Sequence, residues 1–213
     1  MTTAPQPDLL GLLGEIAKQA FTDALEISCL IENIRRQNAP RINATLSERG
    51  AGNAALALRN SMVTRANVLV ARCYEPLPRG SDNLNVRRAF DEILKDPEVR
   101  SGLIKLGQHR EAKLLEAEMM WECLSRGSDY EPFRRFRDTP TAHFAERSPK
   151  IGPWAYGLFF EFAMRTAYLL HKLAHAAGVT TEKLDDHFET FAIGAQNFWA
   201  PWDRTASRPA KAS

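Results

Sequence analysis

The chain has 213 residues, of which 44% are hydrophobic and 25% are charged, values typical of a globular protein that can bury a sizeable core. The formal net charge is only +2, which excludes a polyelectrolyte role for the whole chain, so any contact with nucleic acid must be local. The three cysteines, Cys29, Cys73 and Cys123, are far apart and form no CxxC pair, which favours reduced, mostly buried thiols over a disulfide framework.

No secretory signal is expected, because the N-terminus lacks a basic region followed by a long apolar run. The most apolar segment is Trp154–Leu173, and ionisable side chains interrupt it at Glu161, Arg165, His171 and Lys172. A membrane-spanning helix needs about 20 predominantly apolar residues, so this segment is predicted to pack inside the protein. We therefore expect a cytoplasmic protein with no membrane partner.

A long amphipathic helix is predicted over residues 8–36, after a loose start at 1–7. Asp8 is suited to cap this helix, because its side chain can accept hydrogen bonds from the first backbone N–H groups. Apolar residues recur along it at three- and four-residue steps, which is the spacing of one helical face. They are Leu9, Leu12, Leu13, Ile16, Ala20, Ala24, Ile27, Ile31 and Ile34.

A polar joint is predicted over residues 38–53, which contain Pro40 and two glycines, and a second helix over 53–74. Three arginines lie on the second helix, namely Arg59, Arg65 and Arg72. They belong either to a solvated face, which is the default for charged residues on a helix, or to a groove that binds RNA.

The middle of the chain is predicted to contain a loop over 75–85, a short helix over 86–95 and a long helix over 97–125. The long helix carries an apolar stripe, and Arg110 occupies the one gap in that stripe. Its guanidinium therefore either enters a polar interface or reaches solvent while its aliphatic stem covers apolar surface.

Residues 154–177 are apolar almost all round, which predicts a central helix, or a central helix that also supplies a dimer face. His171 and His175 are four residues apart, as metal ligands on a helix often are. No carboxylate or third ligand accompanies them, so core or surface histidines are favoured and no metal ligand is assigned. A last helix is predicted to begin at Thr180 or Thr181.

The predicted fold is therefore all-α, an up-and-down bundle of long antiparallel helices with shorter inserted helices. We expect a single domain over residues 1–202 and a disordered tail over 203–213. The sequence contains no strand pattern, no glycine-rich phosphate loop, no Ser-His-Asp set and no metal-binding cluster.

One stretch, residues 130–147 (YEPFRRFRDTPTAHFAER), concentrates cationic side chains around a single histidine, His143. On an uninterrupted helix Arg137 and His143 would point about 120° apart and could not share a small target. Pro140 disfavours the α conformation at the residue before it and suits the first position of a helix, which predicts a joint between them. A helix N-terminus flanked by a guanidinium and an imidazole is suited to bind a phosphate. The arginines of the stretch are Arg134, Arg135, Arg137 and Arg147.

The motif RDTPTAH, after a short arginine-rich helix and two long helices, resembles the signature of the HEPN superfamily of higher-eukaryote and prokaryote nucleotide-binding helical domains. Arg137, Asp138 and His143 match the family's arginine, polar residue and histidine. The sequence is most similar to the branch related to abortive-infection protein U of bacterial phage defence. The resemblance covers about residues 54–177, and within it residues 58–94, including NLNVRRAFDEIL, also resemble that branch.

The resemblance implies a metal-independent endoribonuclease of the toxin–antitoxin or phage-defence type, active as a homodimer whose Arg–His motifs line one cleft. It implies no cofactor. RNA is the expected partner, together with an antitoxin or a nucleotidyltransferase. His143 is predicted to act as acid and base, because an imidazole titrates near neutral pH, and Arg137 to stabilise charge on the phosphate. Asp138 either orients Arg137 or caps the helix, and the other arginines of the stretch, Arg134, Arg135 and Arg147, are predicted to contact RNA.

A second interpretation remains open at this point. HEPN members without catalytic activity exist as binding modules, and a histidine near arginines and phenylalanines is often structural. The rival to the nuclease is therefore a non-catalytic, HEPN-like helical dimer that binds nucleic acid, nucleotide or a partner protein.

Overall fold

A computed structural model of the chain describes residues 8–75, 85–127, 130, 131, 133, 134 and 153–203. Every regular element within these ranges is helical, which confirms the all-α prediction. The α-helices are α1 (Leu9–Gln37), α2 (Pro40–Glu48), α3 (Gly52–Tyr74), α4 (Val86–Asp91), α5 (Pro97–Lys105), α6 (Gln108–Arg126), α7 (Pro153–Ala177) and α8 (Leu184–Trp199). Short 3₁₀ turns follow α4 at Ile93–Lys95 and α8 at Ala200–Trp202.

Helix α1 agrees with the predicted N-terminal helix over 8–36 to within one residue. Asp8 caps it as expected, since its carboxylate accepts a hydrogen bond of 2.9 Å from the backbone N–H of Gly11. The predicted apolar stripe is its buried face, which includes Leu13, Ile16, Ile27 and Ile34. Helix α1 packs against α3, α7 and α8 and is therefore at the centre of the fold.

The prediction of a polar joint over 38–53 is wrong for most of its length, because α2 lies there. Pro40 does not break this helix but occupies its first turn, where its fixed φ and missing N–H cost nothing. Ile42 and Leu46 are buried against Trp199 at the end of α8. Two apolar residues four apart were too short a pattern to stand out among polar neighbours.

The long helix predicted over 97–125 is two helices, α5 and α6, which meet at Gly107. The break falls at Gly107, whose φ of 159° lies outside the helical range, whereas Gly102 is accommodated within α5. Helix α6 then packs along α7. The guanidinium of Arg110 lies at a polar interface, because its Nη1 lies 3.4 Å from the carbonyl oxygen of Ala177 at the last turn of α7.

Helix α7 is the central helix that the sequence predicts. It packs against α1 and α6 more extensively than against any other element, and no side chain between Phe162 and Ala177 is exposed. Side chains over that part of α7 are buried or half-buried, and the alternative of an additional dimer face stays a prediction. Leu158, near the start of the helix, is exposed.

Arg65 and Arg72 of α3 are exposed, as expected for a solvated face, and they also form ion pairs with α1. Arg65 forms a bidentate pair with Glu26, with distances of 2.6 and 2.9 Å. Arg72 pairs with Asp23, whose carboxylate is buried and also accepts a hydrogen bond of 2.9 Å from Gln19. Arg59 donates to the side chain of Asn38 at 3.1 Å.

The cysteines are unpaired, as predicted, but their burial differs. Cys73 is buried and Cys29 is half-buried, whereas Cys123 is exposed, so the prediction of burial is wrong for Cys123. Asp203, which the sequence assigned to the start of the tail, pairs with Arg36 at 2.5 Å. Residues 204–213 lie outside the described residues. None of the described helices is long and apolar enough to cross a membrane.

The ion pairs between α1 and α3 generate a stability prediction. Arg72→Ala leaves the buried Asp23 carboxylate with only its hydrogen bond from Gln19, and we expect a loss of about 2 kcal/mol in the free energy of unfolding. Arg65→Ala removes an equally cationic side chain from the same helix, but Glu26 remains accessible to water, so the loss should stay below about 1 kcal/mol. Urea unfolding of both variants measures the difference, and equal losses would contradict it.

Candidate functional site

The structure describes one of the six predicted site residues. Arg134 is exposed, and its Nη1 lies 4.0 Å from a carboxylate oxygen of Glu131, three residues earlier. The other five lie outside the described residues, so their roles stay predictions. They are Arg135, Arg137, Asp138, His143 and Arg147.

The beginning of the predicted site stretch is anchored in the core by aromatic packing. Phe133 is 2% exposed, and its ring stacks on that of Phe162 in α7 with centroids 4.8 Å apart and an interplanar angle of 15°. The Tyr130 ring lies 5.5 Å from that of Tyr74 at the end of α3. Burial of these large rings holds the helical turn at Tyr130 against the helical core.

The other side of the stretch reaches the same aromatic cluster. Phe159, in the first half of α7, lies with its ring centroid 6.4 Å from that of Phe133, at an interplanar angle of 17°. Phe133 and Phe159, which precede and follow residues 135–152 in the chain, therefore belong to one aromatic cluster of the helical core. The predicted motif, residues 137–143, lies between them in the sequence.

A cleft of about 110 Å³ lies beside this aromatic cluster. One water molecule needs roughly 10–15 Å³ of such volume, so the cleft has room for several waters or for a small chemical group. Helices α3, α4 and α6 and the helical turn at Tyr130 form its walls. The lining residues are Tyr74, Arg87, Asp91, Trp121, Ser125, Arg126 and Tyr130.

Two guanidinium groups line the cleft. Arg87 donates to the backbone carbonyl of Tyr74 at 3.1 Å and to the carboxylate of Asp91 at 3.0 Å, which connects α4 to the last turn of α3. Arg126, at the last turn of α6, pairs with Glu122 at 3.0 Å, and its side chain is 64% exposed. Arg87 is therefore held in place by the fold, whereas Arg126 is accessible from solvent.

The aromatic wall of the cleft is a stack of three rings. Trp121 lies between Tyr74 and Phe90, at centroid distances of 5.6 and 5.0 Å and interplanar angles of 3° and 9°. The Tyr74 hydroxyl forms a hydrogen bond of 2.9 Å with Thr166 of α7. Burial raises the pKa of Tyr74, so its hydroxyl stays protonated at neutral pH.

Two polar groups of the cleft residues are buried without a hydrogen-bond partner among the described residues. They are the indole Nε1 of Trp121, a side chain that is 4% exposed, and the hydroxyl of Ser125. Buried polar groups in native proteins nearly always have a partner, and a ligand is one of the partners that can satisfy them. Both groups can donate a hydrogen bond.

Sequence reasoning did not identify this cleft. Arg87 falls in the segment NLNVRRAFDEIL, which the resemblance to the HEPN branch covers, but no spacing in the sequence relates it to Ser125 or Arg126. The one cleft residue that the sequence had singled out was Tyr130, as the first residue of the arginine-rich stretch.

A second group of ionisable residues is a row of histidines near the C-terminal end of α7. The imidazole centroids of His109 and His175 are 6.3 Å apart, as are those of His171 and His175. Within the described ranges no group of three or more histidine, cysteine or carboxylate side chains is arranged to hold a metal ion. His171 is buried, which agrees with the interpretation as a core histidine.

Burial lowers the pKa of both His171 and His175. Neighbouring charges act in the same direction, notably Lys113 on His175, whereas a backbone hydrogen bond with Glu182 opposes the shift at His171. Both imidazoles are therefore held preferentially in the neutral form in the folded protein.

Comparison of the chain with protein-family models, with curated proteins and with solved structures finds no match.

The lowered pKa values predict that stability falls with pH on the acidic side of neutrality. The unfolded chain binds protons on these histidines at about pH 6.5, where the folded protein binds fewer. The contribution of the two side chains is therefore complete above that pH and decreases as the pH falls towards the folded-state pKa values. Each histidine can change the free energy of unfolding by at most about 1.4 kcal/mol per pH unit.

Urea unfolding over a pH series measures this effect, with the double variant His171→Gln and His175→Gln compared with the wild type. The double variant should lose most of the pH dependence between about pH 7.5 and 5.5. His109→Gln, which alters an exposed histidine in the same row, should keep it. An unchanged pH dependence in the double variant would show that other groups are responsible.

The aromatic anchor gives a further prediction. Phe133→Ala removes a fully buried ring and should lower the free energy of unfolding by about 3–5 kcal/mol. Phe198→Ala removes the same group from a side chain that is 61% exposed, and its effect should stay within about 0.5 kcal/mol. Chemical unfolding of the two variants tests whether Phe133 is a structural anchor. A similarly small loss of unfolding free energy in both variants would reject that role.

Proposed function

We propose that the chain is a metal-independent endoribonuclease of the HEPN type. The observation that carries this proposal is the motif RDTPTAH at residues 137–143, which follows an anchored helical turn in an all-helical core. Support also comes from the adjacent cleft, because its guanidinium and hydroxyl groups suit a phosphate-bearing ligand.

The proposed reaction is transesterification within the RNA chain. The 2′-oxygen attacks the adjacent phosphorus, a new 2′-oxygen–phosphorus bond forms, and the bond to the 5′-oxygen of the next nucleotide breaks. A base removes the proton from the 2′-hydroxyl and an acid donates a proton to the departing 5′-oxygen. The products are a 2′,3′-cyclic phosphate and a 5′-hydroxyl, and no oxidant, reductant or additional reactant is needed.

The residues of the motif are assigned roles that match their chemistry. His143 supplies proton transfer, because an imidazole has an ordinary pKa near 6.5 and can both accept and donate a proton. Arg137 stabilises the negative charge that builds up on the phosphate oxygens in the transition state. Asp138 orients Arg137 or caps the following helix. Arg134, Arg135 and Arg147 contact RNA phosphates.

The proposal includes a homodimer in which the histidines of two chains divide the acid and base roles. Exposed apolar side chains on α6, Leu115 and Met119, are available for an interface between copies. A phage-defence or toxin role would follow from uncontrolled cleavage of cellular RNA, with an antitoxin or a nucleotidyltransferase as the regulating partner. The alternative is a non-catalytic helical dimer that binds nucleic acid, nucleotide or a partner protein.

The decisive experiment is incubation of purified protein with a mixed RNA pool in EDTA, followed by analysis of the RNA ends. We expect cleavage that leaves 2′,3′-cyclic phosphates, with a loss of about 100-fold or more in His143→Ala and in Arg137→Ala. His109→Ala removes an exposed histidine outside the motif and should cleave like the wild type.

Each outcome selects between the two functions. Cleavage that persists in folded His143→Ala and Arg137→Ala would show that the site is misassigned. Cleavage that EDTA abolishes would contradict a metal-independent reaction. RNA binding without cleavage by the wild type would favour the non-catalytic binding module.

A further inference from the structure

The cleft between α3, α4, α6 and Tyr130 is rich in hydrogen-bond donors and poor in acceptors. Arg87 and Arg126 contribute guanidinium groups, which only donate, and Trp121 contributes an indole N–H, which also only donates. The single carboxylate in the lining, Asp91, already accepts from Arg87 at 3.0 Å. Such a wall is complementary to a ligand that only accepts hydrogen bonds and carries negative charge.

The unsatisfied groups point to the same class of ligand. Trp121 is 4% exposed, and its indole N–H has no acceptor among the described residues. The Ser125 hydroxyl is also buried without a partner in this part of the chain. Both residues line the cleft, so an acceptor atom of a ligand that reached either buried group would gain a hydrogen bond without displacing one among the described residues.

Arg126 is the group that can move to meet such a ligand. Its pair with Glu122 lies between two exposed side chains four residues apart on α6, which is a weak type of interaction in water. A phosphate offers the guanidinium a bidentate partner of higher charge than a surface carboxylate. Arg87, in contrast, is fixed by its two hydrogen bonds and supplies a stationary positive charge.

The position of the cleft relates it to the proposed cleavage motif. Tyr130 lines it, and Arg134 lies one helical turn further along the chain, three residues before Arg137. The phosphates of an RNA strand repeat at every nucleotide, so a strand that is cleaved at one phosphate offers further phosphates to a second site.

We propose that this cleft binds a backbone phosphate of the RNA other than the one that is cleaved, through Arg87, Ser125, Trp121 and Arg126. The identity of the ligand as RNA rests on the proposed function, whereas the preference for a phosphate rests on the cleft itself. These residues position the strand and take no part in proton transfer.

The test measures binding separately from cleavage. A labelled single-stranded RNA with 2′-O-methyl groups at every position lacks the attacking hydroxyl and cannot be cleaved by the proposed reaction. Its affinity is measured by fluorescence anisotropy over a series of salt concentrations with the full chain. The variants are Arg126→Ala, Arg126→Lys, Ser125→Ala and Trp121→Phe, and the last keeps an aromatic ring in the stack while removing the N–H.

We expect Arg126→Ala to weaken binding about 10-fold and to reduce the slope of log affinity against log salt by about 0.7, the value for one lost phosphate contact on a single strand. Arg126→Lys keeps the charge and should restore the slope with only part of the affinity, because lysine cannot bind bidentately. Ser125→Ala and Trp121→Phe each remove one neutral donor and should weaken binding about threefold.

The matched control is Arg35→Ala. Arg35 is an exposed arginine of α1 that pairs with a glutamate on its own helix, Glu32 at 2.7 Å, and it lies outside the cleft. Loss of the same charge there should change the affinity less than twofold. Thermal unfolding of each variant excludes loss of fold as the cause of weak binding.

Several results would overturn the inference. If the cleft variants bind the RNA as tightly as Arg35→Ala does, or if the wild type does not bind it, the cleft is not an RNA phosphate site. A second experiment measures whether a nucleoside monophosphate or inorganic phosphate displaces the labelled RNA. If either ligand binds and the cleft variants lose only that binding, the cleft recognises a free phosphate compound instead of RNA.

The failure of this inference can be told apart from the failure of the proposed function. Cleavage that depends on His143 together with unchanged RNA binding by the cleft variants would leave the nuclease intact and remove the phosphate site. Weakened RNA binding in the cleft variants of a protein that cleaves nothing would support the phosphate site and remove the nuclease.

Discussion

The burial of aromatic rings between α3, α6 and α7 is the interaction on which the rest of this structure depends. Tyr74, Trp121, Phe133 and Phe162 come from four separate parts of the chain and meet in one cluster with ring centroids about 5–6 Å apart. The cluster closes the helical core and carries the proposed cleft on its side. It also holds Phe133, four residues before the predicted motif at 137–143, in the core.

Several ion pairs of this fold join separate helices. Arg65 and Arg72 connect α3 to α1, Arg100 pairs with Glu118 across α5 and α6, and Lys172 of α7 pairs with Glu116 of α6. Because the net charge is close to zero, the proposed contact with RNA would have to be concentrated in a small region, and the cleft at Arg126 is the described region proposed for it.

The site could be predicted from the sequence only where its residues are neighbours in the chain. Arg137, Asp138 and His143 stand within seven positions, so a motif and a proposed chemistry could be derived from them, and both stay predictions. The cleft combines Arg87 with Ser125 and Arg126, whose proximity arises from the packing of α4 beside α6. No local pattern encodes that proximity. The same limit applies to Arg110, for which the sequence left two interpretations open and the neighbouring end of α7 decided in favour of a polar interface.

The sequence by itself determined the helical character of the chain and the two helices at its centre, α1 and α7. Apolar residues at three- and four-residue steps extend over many turns in α1, and α7 is apolar almost all round, so local patterns were sufficient. Only the tertiary structure decided that residues 40–48 form a helix, because Ile42 and Leu46 gain their stability from Trp199, far away in the chain. It also decided that Arg65 and Arg72 pair with carboxylates of α1 and that a donor-rich cleft lies beside Tyr130. These features depend on contacts between distant residues, which the spacing of residues along the chain does not encode.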